Sequence, residues 1–255
     1  IMASHQPIPG PFLSKGCSRL FFIAFLVLLT TLHTLCTSHA FSINGSSGND
    51  DITVDSSETF VDVIGNEGND TITNSGKVLN DIEGGDGNDT ITNNGTVSDD
   101  IQGNADDDTI YNYGTVEDDI EGNSGDDTIY NYGTVGEDLE GGEGDDRIFN
   151  YGTVERYLHG EAGDDYIYNA IGAKVYEIWG WDGDDTIYNY GTIENNIDGD
   201  DGDDTIYNYG TVQDDIQGNN DNDTIYNYGT VGEDIEGDDG NDTIYNYGTV
   251  SDGIE

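Results

Sequence analysis

Residues 122–140 read Gly122-Asn123-Ser124-Gly125-Asp126-Asp127-Thr128-Ile129-Tyr130-Asn131-Tyr132-Gly133-Thr134-Val135-Gly136-Glu137-Asp138-Leu139-Glu140, and this text decides the fold. Its aliphatic residues stand at 129, 135 and 139, so all three share one parity and face one side of extended segments. Glycine and β-branched residues crowd the stretch and no 3.6-residue spacing appears, which excludes a helix. The same text recurs along the chain. Its first aliphatic column runs Ile52, Ile72, Ile91, Ile110, Ile129, Ile148, Ile167, Ile187, Ile206, Ile225 and Ile244, at steps of 19 or 20 residues. The third runs through Ile82, Ile101, Ile120, Leu139, Leu158, Ile178, Ile197, Ile216 and Ile235. A unit this short cannot bury its own apolar side and must stack on its neighbours. The expectation is an all-β protein, a parallel β-solenoid of about eleven 19-residue coils from about Asn44 to Glu255.

Composition points to what holds such a stack together. The 255 residues carry 54 Asp and Glu against 6 Lys and Arg, a net charge of -48, which argues against nucleic acid as a partner. Only 33% of residues are hydrophobic and 37 are glycine, too little apolar matter for an ordinary core and suggestive of either disorder or a cation-dependent fold. The first 40 residues differ from the rest: they contain all three prolines, both cysteines and no acid. Lys15 and Arg19 precede the apolar run Leu20 to Leu29, and Ser38-His39-Ala40 closes the segment in a small-x-Ala pattern. Residues 1–40 therefore read as a secretory signal peptide cleaved after Ala40, the alternative being an uncleaved anchor. Residues 41–255 form the second domain, secreted or at the cell surface, with no membrane contact after cleavage. They hold the 54 acids against Lys77, Arg147, Arg156 and Lys174, a net charge of -50, and no cysteine. With disulfides excluded, metal is the remaining staple for a poor core.

Two positions never vary across the coils. One is a glycine, at Gly45, Gly65, Gly84, Gly103, Gly122, Gly141, Gly160, Gly180, Gly199, Gly218 and Gly237. The other is an aspartate five residues later, at Asp50, Asp70, Asp89, Asp108, Asp127, Asp146, Asp165, Asp185, Asp204, Asp223 and Asp242. Asn or Asp precedes that aspartate every time, and an inner glycine is kept in all coils except those with Asp106 and Asp221. Residues 84–92, Gly-Gly-Asp-Gly-Asn-Asp-Thr-Ile-Thr, resemble at every specified position the RTX (repeats-in-toxin, hemolysin-type) calcium nonapeptide, and the rest of the array resembles it in register. The resemblance implies calcium (Ca2+) as the bound ion, the invariant Gly and Asp residues as its metal site, and a row of about ten sites shared between neighbouring coils. The residue types suit that chemistry: calcium takes six to eight oxygens, aspartate supplies charge, and glycine permits the positive φ that turns carbonyls inward.

The second half of each coil, as in Asn112-Tyr113-Gly114-Thr115-Val116-Glu117-Asp118-Asp119-Ile120-Glu121, lacks the glycine-rich turn, so the row of sites is one-sided. A 19-residue period with one calcium row is also similar to the solenoid of a bacterial calcium-dependent ice-binding adhesin. The third motif position here holds an irregular mixture, among them Ser47, Glu67, Ala105 and Asp182, which is a poor ice template. The Asn-Gly-Thr-Val half is similar to β-helical passenger repeats of autotransporter adhesins.

Asn recurs two residues after Ile in ten coils, from Asn74 to Asn246, and reads as an inward hydrogen-bonded ladder. Tyr flanks it on both sides, for example Tyr130 and Tyr132, with opposite parity to Ile129, so two rows of rings face outward at a strand spacing of about 4.8 Å. Coil 7 breaks the text with Ala170-Ile171-Gly172-Ala173 and Trp179-Gly180-Trp181, a bulge left by an insertion. No catalytic constellation stands out: His159 is the one histidine after residue 40, and acid pairs occur in every coil. The expected function is that of an extracellular calcium-binding structural or adhesive solenoid that folds on binding calcium, and not of an enzyme. The alternatives are a glycan or cell-surface binding module using the Tyr rows and, third, a β-helical enzyme acting on polysaccharide. The text stops at Ile254-Glu255 with Ile244, Val250 and Ile254 uncovered, which leads to an expectation of end-to-end self-association.

Overall fold

A computed structural model of the protein describes residues 40–255, and the leader expected at residues 1–40 lies outside that range but for its last residue. Each 19-residue repeat makes one coil of three short strands. In the coil that starts at Ile82 these are Ile82–Asp86, Thr90–Asn93 and Thr96–Val97. Equivalent strands stack directly on one another, giving three parallel sheets, A, B and C, of 11 strands each. Register is kept through the stack: Ile110 lies between Ile91 and Ile129, and Val116 between Val97 and Val135. Among the described residues every regular element is a strand. By strand spacing the eleven coils rise about 50 Å.

The interior is three columns of aliphatic residues, one per sheet, from Ile52 to Ile235, nearly all without solvent exposure. The strict alternation of inward and outward residues is what a stack one side chain thick requires. The third strand of each coil is only two residues long, as in Thr134–Val135, because glycine on one side and an acidic turn on the other end it.

Two coils have 20 residues, and both solve the extra length in the same place. From Asn150 to Val154 is four residues, whereas from Asn169 to Val175 is six, and from Val54 to Phe60 is also six. In each case the following corner is one residue shorter. The insertion in coil 7 is thus absorbed by a loop, Ala170–Ala173, with Gly172 at φ 86° and Ile171 exposed, rather than by a bulge inside a strand. Lys174–Val175 resumes sheet C in register with Thr192–Ile193.

Candidate calcium sites

The nonapeptide forms the corner between sheets A and B. Along Ile82–Asp86, Ile82 and Gly84 face inward; the chain then reverses through Gly85 and Gly87, each at φ 120°, and Asp89 re-enters the interior. Positive φ recurs at these two turn positions in every coil but the first, except at Gly240 of the last. At the first, Asn66, Asn104, Asn123, Glu161, Trp181, Asp200, Asn219 and Asp238 adopt it; at the second, Gly68, Gly125, Gly144, Gly163, Gly183 and Gly202 do. Asp106 and Asp221, which replace the inner glycine, take the same left-handed conformation at φ 73° and 74°, so those coils keep the turn.

The invariant glycine is therefore not the positive-φ residue that the sequence suggests. None of the eleven lies in the left-handed region. Its role is steric. A Cβ at Gly84 would collide with Asp89 Oδ2 and approach the Gly103 carbonyl oxygen, and a Cβ at Gly122 would meet Asp127 Oδ2 and the Gly141 carbonyl oxygen. The missing side chain opens a space in which a carboxylate oxygen of one coil and a carbonyl oxygen of the next converge.

Nine of the eleven aspartates, Asp70 to Asp223, are buried with at most 2% of their surface exposed; Asp50 and Asp242, in the end coils, are half-buried. In each buried residue Oδ1 accepts the backbone N–H of the aspartate one coil earlier, as in Asp70 N to Asp89 Oδ1 at 2.6 Å and Asp127 N to Asp146 Oδ1 at 2.7 Å. The other oxygen, Oδ2, is buried without a partner in all nine. Burial raises these carboxyls far above their ordinary value, to about 8 at Asp108, Asp146, Asp185 and Asp204, with like charge from neighbouring coils adding and the N–H bond opposing. An ionised carboxylate with an orphaned oxygen is not stable in such a place without a cation. A hard cation among a charged oxygen row and turn carbonyls fits this donor set, and calcium is the ion that such oxygens suit.

Two further polar rows run along the stack. The residue before each invariant aspartate forms an exposed row of opposite lean: Asp107 Oδ1 accepts Asp126 N–H at 3.1 Å and Asp126 Oδ1 accepts Asp145 N–H at 3.1 Å, each capping the coil that follows. Its signal is the invariable Asn or Asp at that position. A third row lines the corner between sheets C and A, where Asp81 Oδ1 accepts Asp100 N–H at 3.2 Å and Asp119 Oδ1 accepts Asp138 N–H. This corner has no glycine signature, and nothing in the spacing marks it.

The corner between B and C is uncharged. Asn131 Nδ2 donates to Asn150 Oδ1 at 2.9 Å, Asn131 Oδ1 accepts Gly133 N–H at 3.1 Å, and the pattern repeats from Asn74 to Asn246 as the sequence implied. On the outer face of sheet B the tyrosines stack across coils with ring centroids 4.6 to 5.1 Å apart and planes within 11°, for example Tyr111 on Tyr130 and Tyr209 on Tyr228. In coil 7, Ala170 stands where the second row needs a ring. Tyr168 leans over to bridge Tyr151 and Tyr190, and Tyr166 takes its place between Phe149 and Tyr188, all tilted by 39 to 48°.

Stacked coils whose single glycine-aspartate corner lines up a row of buried acidic oxygens define a parallel β-solenoid of the cation-stapled kind. The repeats themselves are RTX calcium-binding nonapeptide repeats: the model of that family matches residues 80–92, 93–111, 114–130, 132–149, 157–173, 177–192 and 228–245. Among solved structures the chain is similar to a hyperactive, Ca2+-dependent, β-helical antifreeze protein from an Antarctic bacterium. The likeness has a TM-score of 0.53 at 22% sequence identity and covers 86% of this chain and 84% of that one. At that identity the likeness concerns the fold. No curated protein matches the chain significantly.

Proposed function

We propose that residues 41–255 form an extracellular structural or adhesive rod that folds on binding calcium, with residues 1–40 as the leader that exports it. The observation that carries the reading is the row of nine orphaned Oδ2 atoms at the bottom of a glycine cleft. In this proposal the invariant aspartates, Asp50 to Asp242, supply carboxylate oxygen, and the invariant glycines, Gly45 to Gly237, supply the opening and a carbonyl from the adjoining coil. Calcium supplies the positive charge that lets these carboxylates stay ionised inside the stack. The chain's own residues do the rest: Oδ1 caps the preceding coil and the two positive-φ residues shape the turn. A net charge of -50 over residues 41–255 supports the same dependence, since folding without cations compresses like charges. Calcium titration followed by circular dichroism tests the reading. A cooperative gain of β signal in the ~10⁻⁴ to 10⁻³ M range typical of extracellular modules is expected; full β signal in excess chelator defeats it.

A second reading, a glycan or cell-surface binding module, is favoured by the flat rows of stacked tyrosines, several of them more than 40% exposed (Tyr113, Tyr132, Tyr209, Tyr228). Aromatic ladders also stabilise sheets by packing alone. A glycan array probed with calcium-loaded protein separates the two, retention of a glycan class that is lost on Tyr132→Ala and Tyr209→Ala supporting the binding role. Ice binding, which likeness to an antifreeze protein would suggest, is not adopted, because the third motif position alternates Ser124, Glu143, Ala162 and Asp182 instead of repeating one residue.

A further inference from the structure

Coil 7 differs from the rest on the outer face of sheet A, away from the calcium corner. Two outward columns run side by side there. In one, Glu140 pairs with His159 and His159 with Trp179; in the other, Gly142 pairs with Glu161 and Glu161 with Trp181. One ligand atom from each of Glu140, His159 and Glu161 lies within 4.8 Å of the others. His159 is the one histidine among residues 40–255, so the array offers this combination once.

The imidazole is held in place. It stacks on Trp179 at 5.3 Å with planes 14° apart and on Tyr157 at 5.4 Å. Its Nδ1 stands 4.0 Å from Glu140 Oε1, outside hydrogen-bond range, and its Nε2 is buried with no partner. With Nε2 buried, Nδ1, on the Glu140 side, is the nitrogen left to face a ligand. Glu161 sits at φ 79°, a conformation uncommon for glutamate, and lines an open depression together with Glu140 and Gly142.

We propose that Glu140, His159 and Glu161 form a transition-metal site of the zinc class, separate from the calcium row. The donor set decides the ion. Calcium prefers oxygen alone, whereas one imidazole and two carboxylates with an open fourth position match zinc. Two ligands each about 2.0–2.1 Å from a tetrahedral ion stand roughly 3.3 Å apart, so the three groups close by no more than a side-chain adjustment. The open depression leaves room for a water at the fourth position. An ion on Nδ1, the ring nitrogen that faces Glu140, offsets the repulsion between the two carboxylates.

The stacked pair His159 and Trp179 provides the readout. In millimolar calcium, which saturates oxygen-only sites, the protein is titrated with zinc by calorimetry and with copper by tryptophan fluorescence, both tryptophans lying on the strand Glu177–Asp182 that pairs with that of His159. One zinc per chain is expected, with copper quenching the fluorescence and zinc displacing it. Partners one shell removed from a metal are already worth about 10- to 100-fold in affinity. His159→Gln is therefore expected to weaken zinc binding by more than about 100-fold, with the calcium-dependent melting curve as the control for folding. Glu161→Gln, on the rim, is the second variant and is expected to weaken binding by at least about tenfold on the same scale. Absence of zinc uptake by the calcium-loaded protein, or undiminished affinity in either folded variant, overturns the proposal.

Discussion

Acid should replace calcium. In the metal-free protein the interior carboxyls lie well above the ordinary 3.8, first because they are buried and then because each faces the like charges of its neighbours. Asp89 and Asp223 reach about 6, Asp127 and Asp165 about 7, and Asp108, Asp146, Asp185 and Asp204 about 8. A folded-state value raised above the unfolded one favours the fold fully below pH ~4 and loses that contribution as pH rises through the folded values, here 6 to 8. For Asp185 and Asp204, 1% exposed, roughly three pH units separate 3.8 from neutrality, and at about 1.4 kcal/mol per unit the loss is on the order of 4 kcal/mol each. Two such groups rival the whole ~5–15 kcal/mol stability of an ordinary domain. The assay is circular dichroism of calcium-free protein from pH 8 to pH 5, in salt concentrated enough to hold the Debye length near 4 Å so that surface charges are screened. β signal should be absent at pH 8 and return with a midpoint between 6 and 8, whereas saturating calcium should abolish that transition. Asp185→Asn removes one charge from the row, and should move the metal-free midpoint upward while weakening calcium binding. A spectrum that stays disordered to pH 5, or that stays fully folded at pH 8 without calcium, refutes the reasoning.

Asp127→Ala should cost about 2–3 kcal/mol in calcium-dependent melting, the loss of a buried charged acceptor for Asp108 N–H, and Asp242→Ala, in the half-buried end coil, less than about 1 kcal/mol; equal losses contradict the nearest-neighbour picture. Asn150→Ala leaves Gly152 N–H without its acceptor and Asn169 Oδ1 without its donor, while Asn131 Nδ2 keeps the Thr153 carbonyl, and at ~1–3 kcal/mol per buried orphan should cost roughly 2–6 kcal/mol. Urea melts at several calcium concentrations should show the same cost throughout, since this corner holds no charge. Gly84→Ala drives a methyl into Asp89 Oδ2 and should lower stability by about 1–3 kcal/mol, whereas Gly48→Ala, with nothing within 4 Å, should melt within ~0.5 kcal/mol of the parent.

The interior was legible because parity leaves little choice. Ile129, Val135 and Leu139 share one phase, and the structure buries all three completely; Asn131 shares it too and joins its ladder, while Tyr130 and Tyr132 do not and face out. The turn chemistry was less legible. The recurring letter, Gly84 in its coil, marks the place where another residue's carboxylate needs room, whereas the left-handed backbone falls on the next residue, which varies among Gly, Asn, Asp, Glu and Trp. A conformation that several residue types adopt leaves no fixed letter behind. The row from Asp81 to Asp138 was invisible for a related reason: a side chain that caps its neighbour's N–H needs only an acceptor, and acids are everywhere in this chain. In coil 7 the sequence shows an insertion, yet only three-dimensional stacking reveals that Tyr166 and Tyr168 each slide one row across to cover the vacancy above Ala170.

Among the described residues every strand pairs only with its equivalents one coil away, so no strand pairing ties distant coils together. Tension applied between its ends therefore peels the stack one turn at a time. Each event frees 19 residues, roughly 65 Å of contour at about 3.4 Å per residue, and breaks one inner carboxylate row link, one asparagine link and a ring stack in each of the two rows together. A chain of eleven such turns gives way in many small yields instead of one rupture, and extends far beyond its folded length of about 50 Å while the remaining turns keep their shape. If the stack folds on calcium as proposed, ion supply sets the strength of each yield, and the same thread is stiff where calcium is plentiful and slack where it is scarce.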